Sequence, residues 1–104
     1  MDIFLQTIGA LNDTTRLQIL RFIQLNGEVC VCEIEGAFCM IQSRISRHLK
    51  ILKDAGFLRV DRRGKWAYYT IRSPLDTFRL ACLEEMSYLD IPLPLKPMGC
   101  KENL

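Results

Sequence analysis

Two short segments of this chain carry side chains with distinctive chemistry. In Glu28-Val29-Cys30-Val31-Cys32-Glu33, two thiols stand one residue apart. Thiolate ligands select soft or thiophilic ions such as arsenite, antimonite, cadmium, lead or zinc. Soon after comes Gln42-Ser43-Arg44-Ile45-Ser46-Arg47-His48-Leu49-Lys50. At about 100° per residue on a helix, Ile45, Leu49 and Leu52 fall on one side, and Ser43, Arg47 and Lys50 fall opposite. Arg44 and Ser46 flank that polar face, and Gln42 sits at its N-terminal tip. Such side chains suit the DNA major groove, where Arg pairs with guanine, Gln with adenine, and hydroxyls with base or phosphate. His48 lies at the edge of the apolar side and reads as a packed, hydrogen-bonded histidine. The nearness of the two segments suggests a switch in which occupied sulfurs change the fit to DNA.

The elements that must position these groups follow from periodicity. Ile3, Phe4, Ile8 and Leu11 repeat at helical spacing. Asp13 can cap a second helix, whose stripe is Leu17, Leu20 and Ile23 and whose end is Asn26-Gly27. A short third helix is expected from about Cys30 to Phe38, and a fourth from about Gln42 to Ala55, stopping at Gly56. The period then changes. Residues 57–61 and 65–71 are rich in β-branched and aromatic residues, and Arg62-Arg63-Gly64 between them reads as a tight hairpin. Arg62, Arg63 and Lys65 at its tip suit phosphate or minor-groove contacts. Trp66, Tyr68 and Tyr69 are expected to pack the hairpin on the body. Ser73 as cap and Pro74 at the first helical position open a fifth helix with the stripe Leu75, Phe78, Cys82 and Leu89. Leu80, Leu83 and Met86 widen that stripe beyond what one small core needs, which points to a second subunit. Pro92, Pro94 and Pro97 mark an extended tail.

The expected fold is therefore mainly α with a β-hairpin: a winged helix-turn-helix over residues 1–90, with a flexible tail over 91–104. Of the fourteen basic residues, eight lie between Arg44 and Lys65, against two of the twelve acidic ones. A basic block in an otherwise acidic chain suggests a polyanion partner. No run of 18 apolar residues and no signal-peptide start are visible, so a cytoplasmic protein with reduced thiols and no membrane partner is expected. The five cysteines are odd in number and do not suggest a disulfide framework. A thiol oxidoreductase is disfavoured, because there is no C-x-x-C motif, no βαβ pattern and no base paired with a nucleophile. No enzymatic activity and no required cofactor are expected.

Taken together, Ala10-Leu11-Asn12-Asp13-Thr14-Thr15-Arg16-Leu17, the Cys30-Val31-Cys32 segment, Ser46-Arg47-His48-Leu49-Lys50, Ala55-Gly56 and Arg63-Gly64-Lys65-Trp66-Ala67-Tyr68-Tyr69 resemble the ArsR/SmtB family of metalloregulatory repressors. The resemblance covers roughly residues 3 to 90. It implies a homodimer formed through the first and last helices. It also implies a repressor released from operator DNA when As(III) or Sb(III), acting as inducer, binds cysteine thiolates. The alternatives are a thiol redox-responsive repressor and a Cd/Pb-responsive one. Three departures from the pattern matter. The third cysteine of arsenite sensors is replaced by Glu35, so Cys39 joins Cys30 and Cys32 as the nearest candidate ligand, with Cys100 the other candidate. No cysteine precedes Cys30, which disfavours the cadmium/lead branch. The cap before the fourth helix is Ile41, which implies a looser start. The family's zinc site on the last helix needs histidine beside acids such as Asp76, Glu84 and Glu85. The chain's one histidine is His48, so that site is read as absent.

Overall fold

A computed structural model describes residues 1–95. Helix α1 (Asp2–Leu11) leads into α2 (Thr14–Asn26), a two-residue strand β1 (Val29–Cys30), α3 (Val31–Phe38) and α4 (Gln42–Asp54). The hairpin β2 (Leu58–Arg63) and β3 (Trp66–Ile71) follows, and then α5 (Thr77–Met86). Asp13 caps α2 by accepting from the Arg16 amide at 3.0 Å. Helix α2 is central, so it buries Ile19, Leu20, Phe22 and Ile23 while Leu17 is only half-buried. A single stripe of Leu17, Leu20 and Ile23 therefore understates its buried face. Phe22 meets Phe38 of α3 edge-on, with ring centroids 5.5 Å apart.

The sheet has three antiparallel strands in the order β1-β3-β2. Val29 pairs with Tyr69 and Cys30 with Tyr68, which puts Cys30 on a strand where a helix was expected. A two-residue strand is too short to show alternation in sequence. The hairpin strands also run longer than expected, pairing through Arg63↔Trp66. The turn is thus Gly64-Lys65, with a positive φ of 61° at Gly64, as in a II′ turn. Arg62 and Arg63 are strand residues. Because side chains alternate along a strand, Ala67 and Tyr69 join the core, whereas Tyr68 faces outward beneath Arg63, 4.3 Å from ring centroid to guanidinium. The expectation that Tyr68 packs on the body is corrected accordingly.

Helix α5 begins later than Ser73-Pro74. Asp76 is its cap, accepting from the Arg79 amide at 3.2 Å, and a carboxylate does this at least as well as a serine hydroxyl. Arg79 ties three elements together. It donates to the Ala55 carbonyl at the end of α4, to the Thr7 hydroxyl of α1, and to Asp76, at 2.8, 2.9 and 2.7 Å. The bond from Arg79 holds the Asp76 carboxyl below its usual range.

Ile91 and Leu93 pack against the core, and the Gln18 side chain donates to the Pro92 carbonyl at 2.8 Å. The body thus extends past the expected boundary at residue 90, because these apolar residues find core surface to cover. The rest of the expected tail, with Cys100, lies outside the described residues. Ile3, Phe4, Leu5 and Ile8 of α1 are exposed, as are Phe78 and Leu80 of α5 and Leu89 beyond it. The Phe4 and Phe78 rings, 5.4 Å apart, join the two sets into one apolar face. Among the described residues, no helix is long and apolar enough to cross a membrane. Helices α2 to α4 with the β2–β3 hairpin form a winged helix-turn-helix.

Candidate nucleic-acid interface and thiol site

Helix α4 separates its two faces sharply. Ile45, Leu49 and Leu52 are fully buried, whereas Gln42, Ser43, Arg44, Ser46, Arg47 and Lys50 are all exposed. Ile41 precedes the helix with no side-chain cap, as its type implies. Exposed position does not mean equal availability. Lys50 is paired with Asp54 one turn on at 2.8 Å. Arg63 is bonded to Asp61 at 3.0 Å and to Glu28 by a short contact, and its guanidinium covers Tyr68. This arginine is therefore committed to a network across the sheet, while Arg62 and Lys65 are exposed beside it.

Two open clefts flank α4. One, of about 330 Å³, is lined by Arg16, Arg44, Arg47, His48 and Ile51. The other, of about 320 Å³, lies between α4 and the hairpin and includes Ser46, Lys50, Lys53, Arg62 and Tyr69. Arg16, Lys53 and Tyr69 were not among the candidate residues. Lys53 could have been found, since it follows Lys50 by one helical turn in the basic block. Arg16 could not, because only the packing of α2 against α4 brings it there. Its Nε donates to the Ala10 carbonyl at 2.7 Å, and its Nη1 lies 3.4 Å from His48 Nδ1.

The thiol pair is already convergent. The Cys30 and Cys32 sulfurs lie 2.8 Å apart. On a continuous helix they would point about 200° apart, but Cys30 is in extended conformation at the end of β1 and forms the N-cap of α3. Its sulfur accepts from the Cys32 amide at 3.4 Å, and the Glu33 carboxylate accepts from the Cys30 amide at 2.8 Å, a reciprocal capping box. The expected need for α3 to unwind is therefore corrected: the helix begins where the sulfurs meet. Cys30 is buried and Cys32 half-buried. Cys30 is in the thiol form, whereas Cys32 is in the disulfide-bonded form, so ion binding by both sulfurs requires reduced protein.

Cys39 is not brought to this pair. It is exposed, at the C-cap of α3 with φ of 52°, one eight-residue helix away, or roughly 12 Å. Among the described residues, no group of three metal-ligating side chains is assembled. Cys82 is half-buried against the core, and that burial raises its thiol above the usual range.

Comparison with known proteins agrees with this architecture. Residues 13–60 match the family described as bacterial regulatory protein, arsR family. The arsenic resistance transcriptional regulator ArsR1 of Pseudomonas putida is 44% identical over 61 residues, covering 59% of this chain and 48% of that protein. The chain thus spans about half the length of this relative. The arsenical resistance operon repressor of Escherichia coli is 33% identical over 81 residues, covering 78% of this chain and 69% of that one. In fold, the chain is similar to a homodimeric winged helix-turn-helix DNA-binding domain from Mycobacterium bovis, with TM-score 0.69 and 32% identity, covering 83% of this chain and 78% of that one. Sequence, fold and the paired thiols ahead of a basic helix converge: this chain belongs to the arsR family of bacterial regulatory proteins.

Proposed function

We propose that the protein is a dimeric DNA-binding transcriptional repressor of a metalloid-resistance operon, released from its operator when As(III) or Sb(III) binds the Cys30 and Cys32 thiolates. The observation that carries this reading is the pair of sulfurs converging at the N-cap of α3, directly ahead of α4. For an ion with bonds near 2.3 Å, as zinc has, two thiolates stand about 3.5 Å apart or more. The pair must therefore spread from 2.8 Å. The sulfur that ligates is also the sulfur that caps α3, so binding weakens the cap and shifts the helix that supports α4. Names of relatives support the metalloid class, since two of them are arsenic or arsenical regulators.

The apolar face of α1 and α5 is larger than single scattered exposed residues, and a two-fold partner would cover it. A dimer is the expected state in solution, placing two α4 helices about 34 Å apart on DNA. Sedimentation showing a monomer at micromolar concentration contradicts it. Within the interface, Arg47→Ala is expected to cost on the order of 1–3 kcal/mol and to relax base preference. Arg63→Ala is expected to change the salt dependence less than Lys65→Ala, because carboxylates already hold its charge. Binding of operator variants by fluorescence anisotropy checks both, and a uniform loss for Arg47→Ala across all variants contradicts base reading.

Oxidation at Cys32 is a second reading, favoured by its disulfide-bonded form. A duplex recovered by selection from random DNA separates the two. Under the leading reading, arsenite releases it from reduced protein and peroxide does not; the reverse result supports a redox regulator.

A further inference from the structure

The cleft between α2 and α4 gathers three guanidiniums, those of Arg16, Arg44 and Arg47, around a single imidazole. Arg16 is tethered on its α1 side. Its Nε and Nη2 donate to the Ala10 and Gly9 carbonyls at 2.7 and 3.4 Å, which leaves Nη1 directed at His48 Nδ1. The opposite flank of α4 carries Lys50, Lys53 and Arg62. A helix about 10–12 Å across fills a major groove about 12 Å wide, so its two flanks meet the phosphates of the two strands.

We infer that the α2–α4 cleft is a phosphodiester site, in which Arg16 and Arg44 hold a backbone phosphate on one side of α4 and His48 takes up a proton as that phosphate binds. The opposite flank holds a phosphate of the other strand. This inference rests on the DNA-binding reading and adds to it a site and a linked proton.

The proton balance is simple. In the unliganded cleft Nδ1 accepts from Arg16, so Nε2 carries the ring hydrogen. Burial chiefly, and then Arg16, Arg44 and Arg47, hold His48 below its ordinary range, against the opposing pull of Asp13. A phosphate reverses the local field and favours the imidazolium. The proton comes from solvent and binds Nδ1, and Arg16 Nη1 then turns its N–H to the phosphate. The complex binds more protons than the free protein, so DNA affinity rises as pH falls through the His48 midpoint of the complex. The gain is complete below the lower midpoint of the free protein.

His48 is the one histidine of the chain, so its imidazole proton resonance reports the site without overlap. It is titrated by NMR in reduced protein alone, with inorganic phosphate, and with the selected duplex; affinity for the duplex is measured in parallel at each pH. With the duplex, the midpoint is expected to rise by about one pH unit. Affinity is expected to rise about three- to tenfold from pH 8 to 6, within the limit of tenfold per unit for one coupled proton. His48→Gln is expected to flatten that rise. A bound duplex that leaves the midpoint unmoved overturns the inference while the repressor reading stands. A shift as large with inorganic phosphate as with duplex overturns it in favour of a free-anion site. Absence of duplex binding at every pH removes both.

Discussion

Cys30→Ser is expected to leave DNA affinity within about threefold of the parent while abolishing release by arsenite. The two effects separate because the sulfur has two jobs of different chemistry. As the N-cap of α3 it accepts one backbone amide hydrogen, that of Cys32, and serine is among the preferred residues for that role. The fold ahead of α4 is therefore kept. As an ion ligand it must be a soft thiolate, which a hydroxyl replaces poorly. Cys32→Ser is expected to behave alike in release. Cys39→Ser is expected to respond nearly as the parent does, because α3 stands between it and the pair. Arsenite titration of each DNA-bound variant checks this set. Full release in the Cys30,Cys32 double variant contradicts the proposed sensor and moves it to other cysteines.

Gly56→Ala is expected to cost about 2–4 kcal/mol of stability. Gly56 has φ of 90°, where an L side chain is strained by roughly 1–2 kcal/mol. The new Cβ would also stand 2.7 Å from Arg79 Nε. Arg79 cannot retreat without giving up its bonds to Ala55, Thr7 and Asp76, and a hydrogen bond to a charged group contributes about 1.5–3 kcal/mol. The melting temperature of a chain this size should fall by roughly 10–25 °C. DNA affinity should fall with it, since Arg79 fixes the end of α4 against α1 and α5. A loss under about 1 kcal/mol in thermal or denaturant unfolding means that the Arg79 junction is not rigid.

Much of this arrangement was legible in the residues. Ile45, Leu49 and Leu52 at helical spacing set the buried side of α4, and therefore the exposed side with Arg44 and Arg47. Asp13 and Gly27 mark the ends of α2 because a capping carboxylate and a positive φ are local requirements. What was hidden depends on contacts between distant segments. Cys30 was read as helical because Val29-Cys30 becomes a strand only by pairing with Tyr68 and Tyr69 of β3. That pairing is what turns the two sulfurs toward each other, a geometry no spacing rule reveals. The binding of Arg63 to Glu28 across the sheet was likewise invisible, so its charge looked available. Arg16 reads as an ordinary helix residue until α2 packs on α4. The apolar excess of α5 was visible, and its continuity with α1 through Phe4 and Phe78 came only from the fold.

The central claim is a coupling between the thiol pair and the DNA-binding surface, and coupling between two binding sites is reciprocal. The direct measurement is the affinity of reduced protein for arsenite by calorimetry, alone and saturated with the selected duplex. If arsenite weakens DNA binding, DNA must weaken arsenite binding by the same factor. A coupling of about 1–3 kcal/mol, or roughly 5–150-fold, is expected in both directions. Equal arsenite affinity in free and DNA-bound protein would contradict the account, whatever the contacts at either site.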